Sequence, residues 1–150
     1  MKRILQCVSL ILIFTICLAI PVAATEQVTP WASNYFGYRS AYLWKTSNTQ
    51  FQVHFDVTAV SGMSELGASI VKIQRSPDNS TWTTVRTYTK EDTPSLIAYN
   101  TGNHASHVPT TSSYTGISGY YYRAYVQFYA KNSSGGRGYY DFYTASIYIP

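Results

Sequence analysis

Two stretches of this chain alternate apolar and polar residues with a period of two. From Gln50 to Val60, Phe51, Val53, Phe55 and Val57 are interleaved with Gln52, His54, Asp56 and Thr58. From Gly119 to Ala130, Tyr120, Tyr122, Ala124, Val126 and Phe128 fall on one side, and Tyr121, Arg123, Tyr125, Gln127 and Tyr129 on the other. Successive side chains of a strand point to opposite faces, so each run fits a strand with one face in a core and one in water. Beyond residue 24 leucine occurs only as Leu43, Leu66 and Leu96, whereas all 15 tyrosines lie there. Tyr and Thr favour a pleated, half-buried surface. The chain is therefore expected to be all-β.

Turn formers divide the rest into further strands. Ser40–Lys45 reads as a first strand, with Tyr42 and Trp44 on one face. Ser61-Gly62-Met63-Ser64 is expected to end the Gln50–Val60 strand. Ala68–Arg75 and Thr81–Thr89 flank Ser76–Ser80, a run of turn residues, and read as a hairpin. The polar interval from Lys90 to Ser106 promises order only at Leu96–Tyr99. His107–Tyr114 reads as a short strand that Pro109 confines to an edge or bulge. Lys131–Gly138 reads as a mobile loop, and Tyr139–Ile149 as the closing strand. Keeping Asp141 in solvent would also expose Ile147 and Ile149, and a bulge near Thr144 would reconcile them. About seven antiparallel strands point to a two-sheet sandwich. Gln52, His54, Asp56, Lys72 and Gln74 break the outward apolar band that a membrane barrel needs.

The amino terminus reads as a secretory signal peptide over residues 1–24. Met1-Lys2-Arg3 is a positive head, Ile4–Ile20 an apolar run, and Pro21-Val22-Ala23-Ala24 a cleavage region. Residues 25–30 then form a flexible leader, and residues 31–150 a single sandwich domain. The 150 residues less these 24 leave 126, enough to bury roughly two-thirds of the unfolded surface. Cys7 and Cys17, the only cysteines, leave with the signal, so no disulfide is expected. The expected location is extracellular, with no membrane attachment after cleavage. Losing Lys2 and Arg3 lowers the formal charge from +4 to +2. The remaining basic residues are scattered, so no nucleic-acid partner is expected.

Val71–Val85, which reads strand, Ser76-Pro77-Asp78 turn and Trp82-bearing return strand, resembles the hairpin of fibronectin type III-like modules. Ser113–Val126 resembles their later strand, which carries a tyrosine at its start. The resemblance implies an Ig/fibronectin type III-like sandwich. It also implies that Tyr120 or Tyr122 ties its hydroxyl to backbone near Ile117, as a tyrosine corner does. Phe55 stands where such modules usually place Trp. Trp31-Ala-Ser-Asn-Tyr35, Glu65–Ser69 and Tyr120–Val126 together resemble a family of small exported Gram-positive bacterial proteins. That likeness implies compartment and size, and no activity.

Chemistry is sparse. His104 and His107 are the nearest approach to a metal pair, but residues i and i+3 of a strand face opposite ways, and no third ligand is near. No metal or cofactor is expected. The seven acids are dispersed, and no nucleophile elbow, phosphate loop or zincin helix occurs. The chain is thus expected not to be an enzyme, with an unidentified hydrolase as the alternative. The candidate ligand-binding residues are Tyr121, Arg123, Tyr125 and Tyr129 on the outward row, with Trp31, Tyr35 and Trp44 as a second aromatic platform. Tyr offers rigid contact area with a polar tip, and Arg stacks on it. The expected function is an extracellular, non-catalytic binding module for a protein. The alternative is a carbohydrate-binding module that uses surface Tyr and Trp. Oligomeric state is left open.

Overall fold

The computed structural model describes residues 34–150. The expected signal peptide, the expected leader and Trp31 lie outside the described residues. Eight strands follow one another: β1 (Phe36–Lys45), β2 (Gln50–Ser76), β3 (Thr83–Thr89), β4 (Ile97–His107), β5 (Tyr114–Thr115), β6 (Tyr120–Lys131), β7 (Arg137–Tyr143) and β8 (Ile147–Ile149). A single turn of 3-10 helix, Pro94–Leu96, precedes β4. The described residues contain no α-helix. All strand pairings are antiparallel and join into one eight-stranded sheet.

The organising element is β2, 27 residues long. The sequence predicts a break at Ser61–Ser64, but the backbone there stays extended. Pairing with β4 slips between Thr58 and Met63 and again between Met63 and Glu65. These irregularities bend a strand without ending it, and Met63 is buried inside the bend. The amino-terminal half of β2 pairs with β1, β4 and β5. Its carboxy-terminal half pairs with β3 and β6, and β6 continues the sheet to β7 and β8.

The bend curls the sheet so that its inner faces meet. The Phe51 ring lies 5.2 Å from that of Tyr122, and Phe55 lies 5.9 Å from Phe128 in an edge-to-face contact. Val53, Val57, Leu66, Val71, Ile73, Ala124 and Val126 fill the same core. The alternation read from the sequence therefore assigns these inward residues correctly in both long strands. The curl also brings chains very close at Gly67. A Cβ there would sit 2.0 Å from the Leu96 carbonyl oxygen and 2.9 Å from the Ile97 Cα. Only hydrogen fits.

The other departures have local causes. Strand β4 extends well beyond Leu96–Tyr99, because pairing with β2 orders residues whose own composition is loop-like. The expected closing strand divides into β7 and β8 at Thr144, which makes the total eight. Thr144 is buried, and its Oγ1 accepts from the Ala124 N–H at 2.9 Å and donates to the Ala145 carbonyl at 2.8 Å. That offset turns Phe142 and Ile149 towards the core while Asp141 faces water. The predicted tie is present at Tyr122, whose hydroxyl accepts from the Ile117 N–H at 2.8 Å.

Candidate functional site

Three tight connections build the outer face of β2, β6, β7 and β8. Asp78 organises the β2–β3 turn: its Oδ1 accepts from the backbone N–H groups of Ser80 and Thr81 at 2.9 and 2.8 Å and from Ser76 Oγ at 2.7 Å. These bonds hold its carboxyl well below the usual carboxylate range, and the turn delivers Trp82. Asn132 organises the β6–β7 turn. Its Oδ1 accepts from the Gly136 N–H at 2.8 Å, and its carbonyl accepts from Gly135, which has φ 89°. The turn sets Lys131 opposite Arg137, and hence Tyr129 opposite Tyr139, Gln127 opposite Asp141 and Tyr125 opposite Tyr143. After the break at Thr144, Tyr121 stands opposite Tyr148.

Three cross-strand tyrosine pairs result. Ring centroids are 5.0 Å apart for Tyr121 and Tyr148, 5.2 Å for Tyr125 and Tyr143, and 5.3 Å for Tyr129 and Tyr139. The β7 and β8 members, Tyr139, Tyr143 and Tyr148, are exposed. Polar groups hold Tyr125 in place. The Tyr125 hydroxyl donates to Asp141 Oδ1 at 2.7 Å, and Gln127 Nε2 donates to the same oxygen at 3.2 Å. Burial, then the hydrogen bond to Asp141 and its charge, push the Tyr125 phenol far above its ordinary value. Tyr125 is therefore neutral throughout the working pH range of most proteins. The Arg123 guanidinium lies 4.4 Å from the Trp82 ring centroid and 4.6 Å from that of Tyr143, and its Nε donates to Gln74 Oε1 at 2.8 Å.

The predicted site residues meet different fates. Tyr121, Arg123 and Tyr125 share the outward face. Tyr129 points the same way but is only 2 % exposed, which removes it as a contact residue. Lys90 Nζ sits 4.4 Å from its ring centroid and Tyr139 packs beside it. Tyr35 and Trp44 form no common platform. They stand at opposite ends of β1, roughly 30 Å apart at the rise of a strand. Tyr35 lies over the β6–β7 turn, where a Cβ at Gly138 would come within 2.7 Å of its ring. Trp44 instead neighbours Tyr42 and His54, at ring distances of 6.5 and 6.0 Å. Trp82, Tyr143 and Tyr148 escaped the sequence reading. The β6–β7 turn was the available signal, since a hairpin centred on Ser134 sets Tyr143 across from Tyr125.

His107 Nε2 is 3.0 Å from the Ser95 carbonyl oxygen, and His104 and His107 occupy the end of β4. Among the described residues, no group of three or more His, Cys, Asp or Glu is arranged to hold a metal ion.

Beside Tyr129, Glu65 binds Lys131 at 2.7 Å and approaches Lys90 at 3.8 Å. Burial alone would raise the carboxyl pKa. The hydrogen bonds from Lys131 and Tyr129, with the charges of Lys131 and Lys90, outweigh burial and hold it below the ordinary value of 4.5. The folded state thus prefers the ionised form. The stability this contributes is present above pH 4.5 and is lost as pH falls through the lower folded value. Glu65→Gln should lower stability by about 1 kcal/mol at pH 7, and should flatten, without abolishing, the loss on acidification below pH 4.5, since Asp78 titrates in the same sense. Urea unfolding across that range checks both effects. An unchanged acid slope would remove Glu65 from the account.

No family model matches the sequence, and no curated protein matches it either. Among solved structures, the chain is similar to the X-ray structure of a Northeast Structural Genomics Consortium target, at 8% identity and a TM-score of 0.40. That likeness covers 77% of this chain and 89% of the other, and at this level it carries no argument.

Proposed function

We propose that the chain is exported behind a cleaved signal peptide and acts outside the cell as a non-catalytic module that binds a protein through the outer face of β2, β6, β7 and β8. In this reading the curled sheet is an Ig/fibronectin type III-like sandwich whose two layers share β2. The Tyr122 tie to Ile117 supports that assignment. The binding reading rests on one observation: three tilted, close-packed tyrosine pairs whose outer members, Tyr139, Tyr143 and Tyr148, are exposed. Rings packed against one another lose little freedom on contact, and Tyr and Arg are over-represented among the residues that dominate binding energy.

The test uses extracellular proteins as prey, with the wild type and a Tyr143→Ala, Tyr148→Ala double variant as bait. A specific partner is expected to lose about tenfold or more in affinity for the variant, while the far-ultraviolet circular dichroism of the bait stays constant. A partner that binds both baits equally would refute the face. The carbohydrate reading has its own observation: Trp44 is 56 % exposed, and beside it Tyr42 stacks on His54 at 5.3 Å. Saturable polysaccharide binding lost in Trp44→Ala, and kept in the double variant, would favour that reading instead.

A further inference from the structure

We propose that Arg123 is the anion-recognising group of the outer face and that it takes a side-chain carboxylate from an acidic peptide segment. The proposal rests on the reading of this face as a protein-binding surface and names the chemistry that the surface reads.

Arg123 is held as a recognition group is held. Its guanidinium is flanked by the Trp82 and Tyr143 rings, and its Nε is fixed by Gln74 Oε1. Gln74 is the register partner of Arg123 across β2 and β6, so the sheet itself places that acceptor. The stacked, tethered side chain has already lost most of its rotamer freedom, which lowers the entropic cost of engaging a ligand. The two Nη groups remain. Among the described residues neither has a hydrogen-bond partner, neither is a fully buried unsatisfied atom, and Arg123 is partly exposed. The described residues place no carboxylate within 4.0 Å of Arg123 or of Lys72, whose Nζ lies 5.4 Å from the neighbouring Tyr125 ring. The nearby acid, Asp141, is already engaged by Tyr125 and Gln127. The face therefore presents an open planar fork of donors with a second cation close by, and no acid of its own to fill it.

A carboxylate meets such a fork with two parallel N–H···O bonds. The choice of a peptide over a sugar follows from the same inventory. A sugar ring offers many hydroxyls and needs several free acceptors and donors around it. Here Asp141, Gln127 and Gln74 are bonded to other residues of the face, which leaves mainly rings and the fork. One carboxylate set among apolar and aromatic contacts matches that arrangement.

The probe is an oligomer of L-glutamate titrated into the isotope-labelled protein, with an oligomer of L-glutamine as the neutral counterpart and polygalacturonate as the sugar counterpart. The expected result is a saturable shift of the Arg123 Nε–H and Trp82 indole N–H resonances with glutamate and none with glutamine. Affinity should be about tenfold weaker in Arg123→Gln and also reduced in Arg123→Lys, which keeps the charge without the fork. Localisation of the shift in the wild type needs no variant to fold. Absence of a localised shift, equal affinity in both variants, or binding of polygalacturonate alone would overturn the proposal. Should the probe miss Arg123 while Tyr143→Ala, Tyr148→Ala still weakens a protein partner, the carboxylate assignment fails and the tyrosine face survives. Failure of both removes the face as well.

Discussion

Phe128→Ala should lower the free energy of unfolding by about 3–5 kcal/mol, seen as a lower denaturant midpoint at an unchanged slope. Phe128 is fully buried, and its ring meets Phe55 at 5.9 Å and Phe142 at 6.1 Å, both edge-on. Phe142 lies on β7, next to β6, whereas Phe55 lies in the amino-terminal part of β2 that pairs with β1, so the ring on β6 packs across the curl as well as along the sheet. Truncation removes the contact and leaves a cavity between facing parts of the curled sheet. A domain of this size has about 5–15 kcal/mol of stability in all, so the variant would be marginal. Tyr121→Ala, on the outer face, provides the contrast: a lost cross-strand pair costs roughly 0.2–1 kcal/mol. A loss below about 1 kcal/mol at Phe128 would mean that the facing parts of the sheet do not share this core.

Gly67→Ala should be comparably damaging, by about 3 kcal/mol or more, although it adds only one methyl group. The added carbon would fall 2.0 Å from the Leu96 carbonyl oxygen, and that atom belongs to backbone, not to a side chain that can swing aside. Gly67 pairs with Ile97 on one side and Tyr129 on the other. Relief therefore means pulling β4 away from β2, with loss of the ladder bonds there. Thermal unfolding of the variant against a Gly135→Ala control, at a turn with nothing within 4 Å of the new methyl, reads the effect. The control carries the cost of a positive φ but no clash, so equal losses at the two positions would show that crowding at Gly67 is unimportant.

Inward residues of β2 and β6 were legible because period two is a local property. Once Phe51 faces the core, Val53, Phe55 and Val57 must follow. The continuity of β2 was not legible. Ser61-Gly62-Met63-Ser64 carries the residues of a turn, and only the β4 chain alongside, far off in sequence, keeps it extended. The same non-locality hid β4, whose polar residues are ordered by a neighbour more than by their own preference. Exposure at the site was partly legible. Parity gave the direction of Tyr129 correctly, but parity says nothing of Lys90 and Tyr139 lying across the ring. Trp82 was read as part of the return strand, whereas it lies just before β3, at the end of the turn. Its place against Arg123 depends on β3 and β6 both flanking β2, a relation that no single stretch of sequence contains.

Because β2 takes five different partners, its assembly must wait until β6 has been made. Residues up to Thr49 supply only β1, and the strand that completes the other half ends at Lys131. Until then a 27-residue strand carries open backbone donors and acceptors along its edges, the surface on which chains pair edge to edge into fibrils. High mean sequence separation between contacting residues also slows folding. Fragments that stop short of β6 would therefore gather into insoluble aggregates.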